Sequence, residues 1–165
     1  MSVKAMFQDG HAGIHVQKGS TRRRWRAVTA VSPWRQASMS NWTPVVLSDV
    51  PPPKGPYSPA VRAGGFVYVS GQTPRDAATG ELVGTDIATQ TRQTLSNVQR
   101  ILTAAGATLQ DVVSVTIYLA DVDDWTAMNA VYTEFFSTPF PSRTAVGCSL
   151  RDILVEISVV AYTGP

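Results

Sequence analysis

Between residues 86 and 119 the spacing of apolar residues changes from a helical period to an alternating one, so a helix is followed at once by a strand. Ile87, Leu95, Val98, Ile101, Leu102 and Ala105 share one helical stripe. Asp86 is placed to cap its start, and Gly106 suits the left-handed position after its end. Residues 112–119 then read as a strand, with Val113, Val115, Ile117 and Leu119 on one face. The other face, Val112, Ser114, Thr116 and Tyr118, is only half polar, as in a central or interface strand. A second helix is predicted from a cap at Asp123 or Asp124. Its apolar stripe is Trp125, Met128, Tyr132 and Phe135, with Pro139 and Pro141 beyond its end.

Residues 45–47, 66–70, 143–148 and 153–162 read as further strands, and 76–80 as a turn. The last two strands flank Leu150-Arg151-Asp152 and are expected to pair as a hairpin. The order β-β-α-β-α-β-β predicts a two-layer α+β domain with both helices on one face of the sheet. The other face stays partly apolar, which predicts oligomerisation.

Charge divides the chain. Residues 1–48 carry seven Lys and Arg against one acid, and residues 49–165 carry seven against eleven. The acidic part speaks against a nucleic-acid-binding body. Residues 1–43 show no sustained period and are read as an unstructured basic extension, with residues 44–165 as the domain. For Thr21-Arg22-Arg23-Arg24-Trp25-Arg26 three readings stand: an organelle transit segment, a nucleic-acid or membrane-surface patch, or an over-long start ahead of Met39. A cytoplasmic location is expected, or an organellar one on the transit reading. No apolar run approaches a membrane span.

Both histidines, His11 and His15, lie in the extension, and Cys148 is the single cysteine. The body therefore excludes a Ser–His–Asp triad, a Cys–His pair and a His- or Cys-rich zinc site. Its one lysine, Lys54, lies among prolines, a poor place for a desolvated amine. What remains is chemistry by Arg, carboxylates, hydroxyls, backbone and water.

Glu156 stands inside the apolar stretch Ile153-Leu154-Val155-Glu156-Ile157-Ser158-Val159-Val160. Such a carboxylate is either half of a structural ion pair or a functional group. In the expected hairpin its partner is Arg143, about one diagonal away. Arg143 can also bind a small carboxylate through its guanidinium fork. Gly55-Pro56-Tyr57-Ser58-Pro59 and Ser70-Gly71-Gln72-Thr73-Pro74 read as turns that can also offer N–H groups and a phenol to a ligand. Neither is a phosphate loop. Asn129 is offset from the apolar stripe of its helix and reads as a solvated position.

Gly55-Pro56-Tyr57-Ser58, Tyr68-Val69-Ser70-Gly71-Gln72-Thr73-Pro74, Thr79-Gly80-Glu81, Asn97-Val98 with Ala104-Ala105-Gly106, Asn129-Ala130-Val131-Tyr132-Thr133-Glu134-Phe135-Phe136, Pro141-Ser142-Arg143-Thr144 and Val155-Glu156-Ile157 occur in this order. Together they resemble the Rid (YjgF) family of reactive-intermediate deaminases. The resemblance implies a chorismate-mutase-like α+β fold with a mixed sheet, assembled as a homotrimer with active sites between subunits. It implies hydrolysis of 2-imino acids, such as 2-iminobutanoate and 2-iminopropanoate, to 2-keto acids and ammonia, with no cofactor. Arg143 would hold the substrate carboxylate and Glu156 would position water. Tyr57, Ser70, Gly71 and Asn129 match positions lining the pocket. Family deaminases often carry Cys where this chain has Ala145, whose backbone can still serve, and the stretch after Arg143 lacks the usual Leu-Pro. The alternatives are a non-catalytic 2-keto-acid-binding protein, a deaminase of another enamine such as aminoacrylate or 2-aminomuconate, or an RNA-directed activity carried by the tail. No nucleic-acid or membrane partner is expected for the body.

Overall fold

Alternation along β6 (Val155–Tyr162) puts Val155, Ile157, Val159 and Ala161 on one face, and all four are buried. This strand lies inside a sheet of order β1-β2-β3-β6-β4-β5 in a computed structural model that describes residues 41–164. The other strands are β1 (Trp42–Val45), β2 (Ala60–Ala63), β3 (Phe66–Gln72), β4 (Val112–Leu119) and β5 (Ser142–Gly147). Neighbours pair antiparallel except β4 with β5, which run parallel, so the sheet is mixed. Val67 and Val69 of β3 and Val115, Ile117 and Leu119 of β4 extend the buried face. Burying each such side chain stabilises the fold by about 1.5–3 kcal/mol.

That face is covered by α1 (Ile87–Ala104), which packs against β3, β6 and α2 (Trp125–Phe135). The fold is α+β. The six residues predicted as the stripe of α1 are all buried. Asp86 accepts the Thr89 N–H at 2.9 Å. At the other end Gly106 takes φ 68°, and Ala107 N and Gly106 N donate to Leu102 O and Thr103 O at 2.8 and 2.9 Å, which closes the last turn. The Arg62 guanidinium, reaching over from β2, donates to Ala105 O. Among the described residues no helix is long and apolar enough to cross a membrane.

Several expectations need correction. The first strand is Trp42–Val45, earlier than the expected residues 45–47, and β2 was not anticipated at all. In β4 a bulge at Val113 shifts the alternation, so Val112 is buried while Val113 is 45% exposed. Asp124 stands at the N-cap of α2 as expected, but its side chain makes no capping hydrogen bond. Asp121 accepts from Asp123 N at 2.9 Å, in a short 3-10 turn that leads into the helix. Finally, β5 and β6 do not form a hairpin: β4 lies between them. The connecting loop wraps the end of β4, with Cys148 N donating to Leu119 O and Ala120 N to Leu154 O, both at 2.9 Å. Of the extension expected over residues 1–43, Trp42 and Thr43 belong to β1, and residues 1–40, with the Arg-rich stretch, lie outside the described residues.

Candidate active site

A second bulge shapes the open face of the sheet. Val69 pairs with Val159 and Gln72 with Ile157, so Ser70 and Gly71 together oppose Ser158. The Glu156 carboxyl group packs directly on Gly71. A methyl group at residue 71 would overlap Oε1 and lie 2.9 Å from Cδ, so only glycine admits the carboxylate here. Ser70 N donates to Pro59 O at 3.0 Å and Ser70 Oγ to Ser58 O at 2.8 Å, tying the loop that carries Tyr57 to the bulge. Tyr57 itself is 58% exposed. Asn97, buried on α1, donates from Nδ2 to Thr73 O and Arg75 O at 3.0 and 2.8 Å, which anchors the segment after the bulge. Glu156 makes no ion pair among the described residues.

The second group sits on the other face. Paired strand residues point to the same side of a sheet. Arg143 pairs with buried Val115, so it shares the helix-covered face, whereas Glu156 pairs with Tyr118 on the opposite one. One intervening strand and three residues of stagger put the two Cα atoms roughly 14 Å apart. The expected diagonal pairing of Arg143 with Glu156 is therefore absent within one chain. Arg143 turns instead to α2. Its Nη1 donates to Asn129 Oδ1 at 2.6 Å, and its guanidinium carbon lies 4.8 Å from the Tyr132 ring centre and 5.6 Å from that of Trp125. Asn129 is thus no solvated position but a partner of Arg143. Ala145, two residues along β5, shares the face of Arg143 and packs against the core. Asn129, Tyr132, Thr133, Phe140, Pro141 and Arg143 line a cavity of about 390 Å³. Burial pushes the Tyr132 phenol above its ordinary pKa, partly opposed by the charge of Arg143, so it stays neutral.

The candidate residues thus fall into two separate groups, Tyr57, Ser70, Gly71 and Glu156 in one and Asn129, Arg143 and Ala145 in the other. The family described as endoribonuclease L-PSP, the RutC and YjgF proteins, matches residues 48–163, which span both. The chain belongs to the Rid (YjgF) family. A RutC family protein of Pyrococcus horikoshii is 48% identical over 120 residues, 72% of this chain and 95% of that protein. The 2-iminobutanoate/2-iminopropanoate deaminase of Capra hircus is 41% identical over 113 residues, 67% of this chain and 82% of that protein. The solved structure of E. coli TdcF with bound serine superposes with a TM-score of 0.67 at 32% identity, covering 73% of this chain and 98% of TdcF.

Within this Rid chain, the contribution of Trp125 and Tyr132 is not evident from periodicity, which assigns both to the core stripe. The spacing Trp125, Asn129, Tyr132 was the available signal, since these positions fall on one side of a helix. Among the described residues no group of three or more His, Cys, Asp or Glu is placed to hold a metal ion.

Proposed function

We propose that this chain hydrolyses 2-imino acids to 2-keto acids and ammonia, in clefts between the subunits of a homotrimer. The observation that carries this reading is the separation of Arg143 and Glu156 onto opposite faces of one sheet. A second copy can bring an Arg143 half-site against a Glu156 half-site, and a single chain cannot. Phe66, Tyr68 and Tyr162, each 38–46% exposed on the open face, with Phe66 and Tyr162 ring centres 4.9 Å apart, offer the apolar surface for such packing. The similarity to the goat deaminase supports the reaction type.

The chemistry asks little of the protein. The Arg143 fork holds the substrate carboxylate, and Tyr57, Ser70 and the backbone at Gly71 and Ala145 line the rest of the cleft. Water adds its oxygen to the iminium carbon while its proton passes to the Glu156 carboxylate, and the C=N π pair moves onto nitrogen. The proton then returns to that nitrogen. The C–N bond breaks with its electron pair leaving on ammonia, while the remaining hydroxyl gives its proton back to the Glu156 carboxylate and becomes the keto group; the departing ammonia carries that proton away as ammonium. An iminium carbon is already electrophilic, so orientation and one proton acceptor suffice. RNA cleavage, which the family description names, has less support here, because residues 49–165 hold eleven acids against seven cations and no histidine.

The test is release of keto acid and ammonia from imino acids generated in situ by an amino-acid oxidase, across several side chains. Acceleration over buffer is expected, and its side-chain profile identifies the preferred substrate. No acceleration with any of them overturns the reading, and 2-keto acid binding without turnover would favour a metabolite-binding protein instead.

A further inference from the structure

Trp125, Asn129 and Tyr132 form one stripe of α2, and all three meet the side chain of Arg143. Burial does not account for Trp125, which is 40% exposed. Tyr132 is fixed in turn by stacking on Phe136, ring centres 4.5 Å apart. Arg143 lies on edge strand β5 and is exposed, so on its own it would sample many rotamers and lose that freedom on gripping a ligand. Here two rings address the guanidinium and one amide takes an N–H. Its remaining donors have no acceptor among the described residues, and Arg143 lines the cavity beside Asn129 and Phe140.

We propose that Trp125 and Tyr132 are positioning residues that hold the plane of the Arg143 guanidinium before a carboxylate arrives. The inference rests on the reading of Arg143 as the carboxylate anchor. It predicts that the rings act on binding and leave the proton transfers untouched.

The experiment compares Trp125→Ala, Trp125→Phe and Tyr132→Leu with the wild type, after sedimentation and melting confirm folded protein of the same assembly. Two quantities are read: KM and kcat for 2-iminobutanoate, and the Kd for 2-oxobutanoate by calorimetry. Trp125→Ala is expected to raise KM and Kd about three- to tenfold with kcat within about twofold. Trp125→Phe should recover most of that loss, and Tyr132→Leu, which removes the second ring, should raise KM and Kd as Trp125→Ala does; unchanged KM and Kd there would overturn the role given to Tyr132. Unchanged KM and Kd in Trp125→Ala would overturn the proposal, as would equal losses in Trp125→Ala and Trp125→Phe. A wild type that turns over no imino acid defeats the proposed reaction, yet calorimetry still decides this point. Weaker 2-oxobutanoate binding by Trp125→Ala supports the positioning role, and an unaltered Kd or no binding by the wild type overturns it.

Discussion

Glu156 and Gly71 make a single unit, because a side chain at residue 71 would occupy the place of the carboxylate. Gly71→Ala should therefore displace Glu156 and lower kcat about tenfold or more while leaving the substrate's grip on Arg143, and hence KM, nearly unchanged. A wild-type kcat in folded Gly71→Ala would separate Glu156 from the chemistry. Arg143 invites the complementary test. Arg143→Ala removes a charge-assisted partner, typically about 2–4 kcal/mol, or on the order of 30- to 1,000-fold in kcat/KM. Arg143→Lys keeps the charge but loses the fork and should fall between. Near-normal hydrolysis by folded Arg143→Ala would defeat its assignment as anchor. Both residues stood out in the sequence for plain reasons: a carboxylate in an apolar strand and a cation in a stretch with few others. Their mutual geometry was not legible, since it depends on which strand lies between them.

Elements whose signals are local were readable, and those defined by pairing were not. The α1 helix announced itself through its stripe, its Asp86 cap and Gly106, all within a few residues of one another. Leu95→Ala, in the fully buried part of that stripe, should cost about 2–5 kcal/mol in chemical denaturation. The hairpin expectation failed because period-two alternation names a strand without naming its neighbour, and the segment between β5 and β6 is long enough to round the end of β4. The bulge at Val113 likewise exchanges the faces of Val112 and Val113, while Val115, Ile117 and Leu119 keep the face that alternation assigns. On α2 the buried phenol of Tyr132 gives a pH signature. Its pKa is raised in the folded state, so its stabilising effect is full below the ordinary value of 10.0 and is lost as pH climbs through the folded value. Melting temperatures of the wild type should accordingly fall more steeply than those of Tyr132→Phe as pH climbs past the ordinary value of 10.0. Parallel curves would remove the phenol as the cause.

At the scale of the whole molecule, the two half-sites lead to a test that stability measurements cannot provide. If each active site takes Arg143 from one copy and Glu156 from another, two inactive variants can complement each other. An Arg143→Ala subunit still offers Glu156, and a Glu156→Gln subunit still offers Arg143. Unfolding and refolding an equal mixture should scramble the subunits into trimers in which about a quarter of the interfaces carry both intact residues, because each interface draws its two contributors independently. Activity should therefore rise from near zero in either variant alone to about a quarter of the wild-type value, read as keto-acid release per subunit. A site contained in one chain predicts no recovery at any mixing ratio, since every chain lacks one of the two groups. Sedimentation of the wild type at high dilution supplies the accompanying measurement: a folded monomer that kept full activity would be incompatible with a shared cleft. The register of β4 makes the complementation outcome the expected one. It aligns Arg143 with Val115 beneath the helices and Glu156 with Tyr118 on the open face, so that no rotation of either side chain can bring the two together within a single copy.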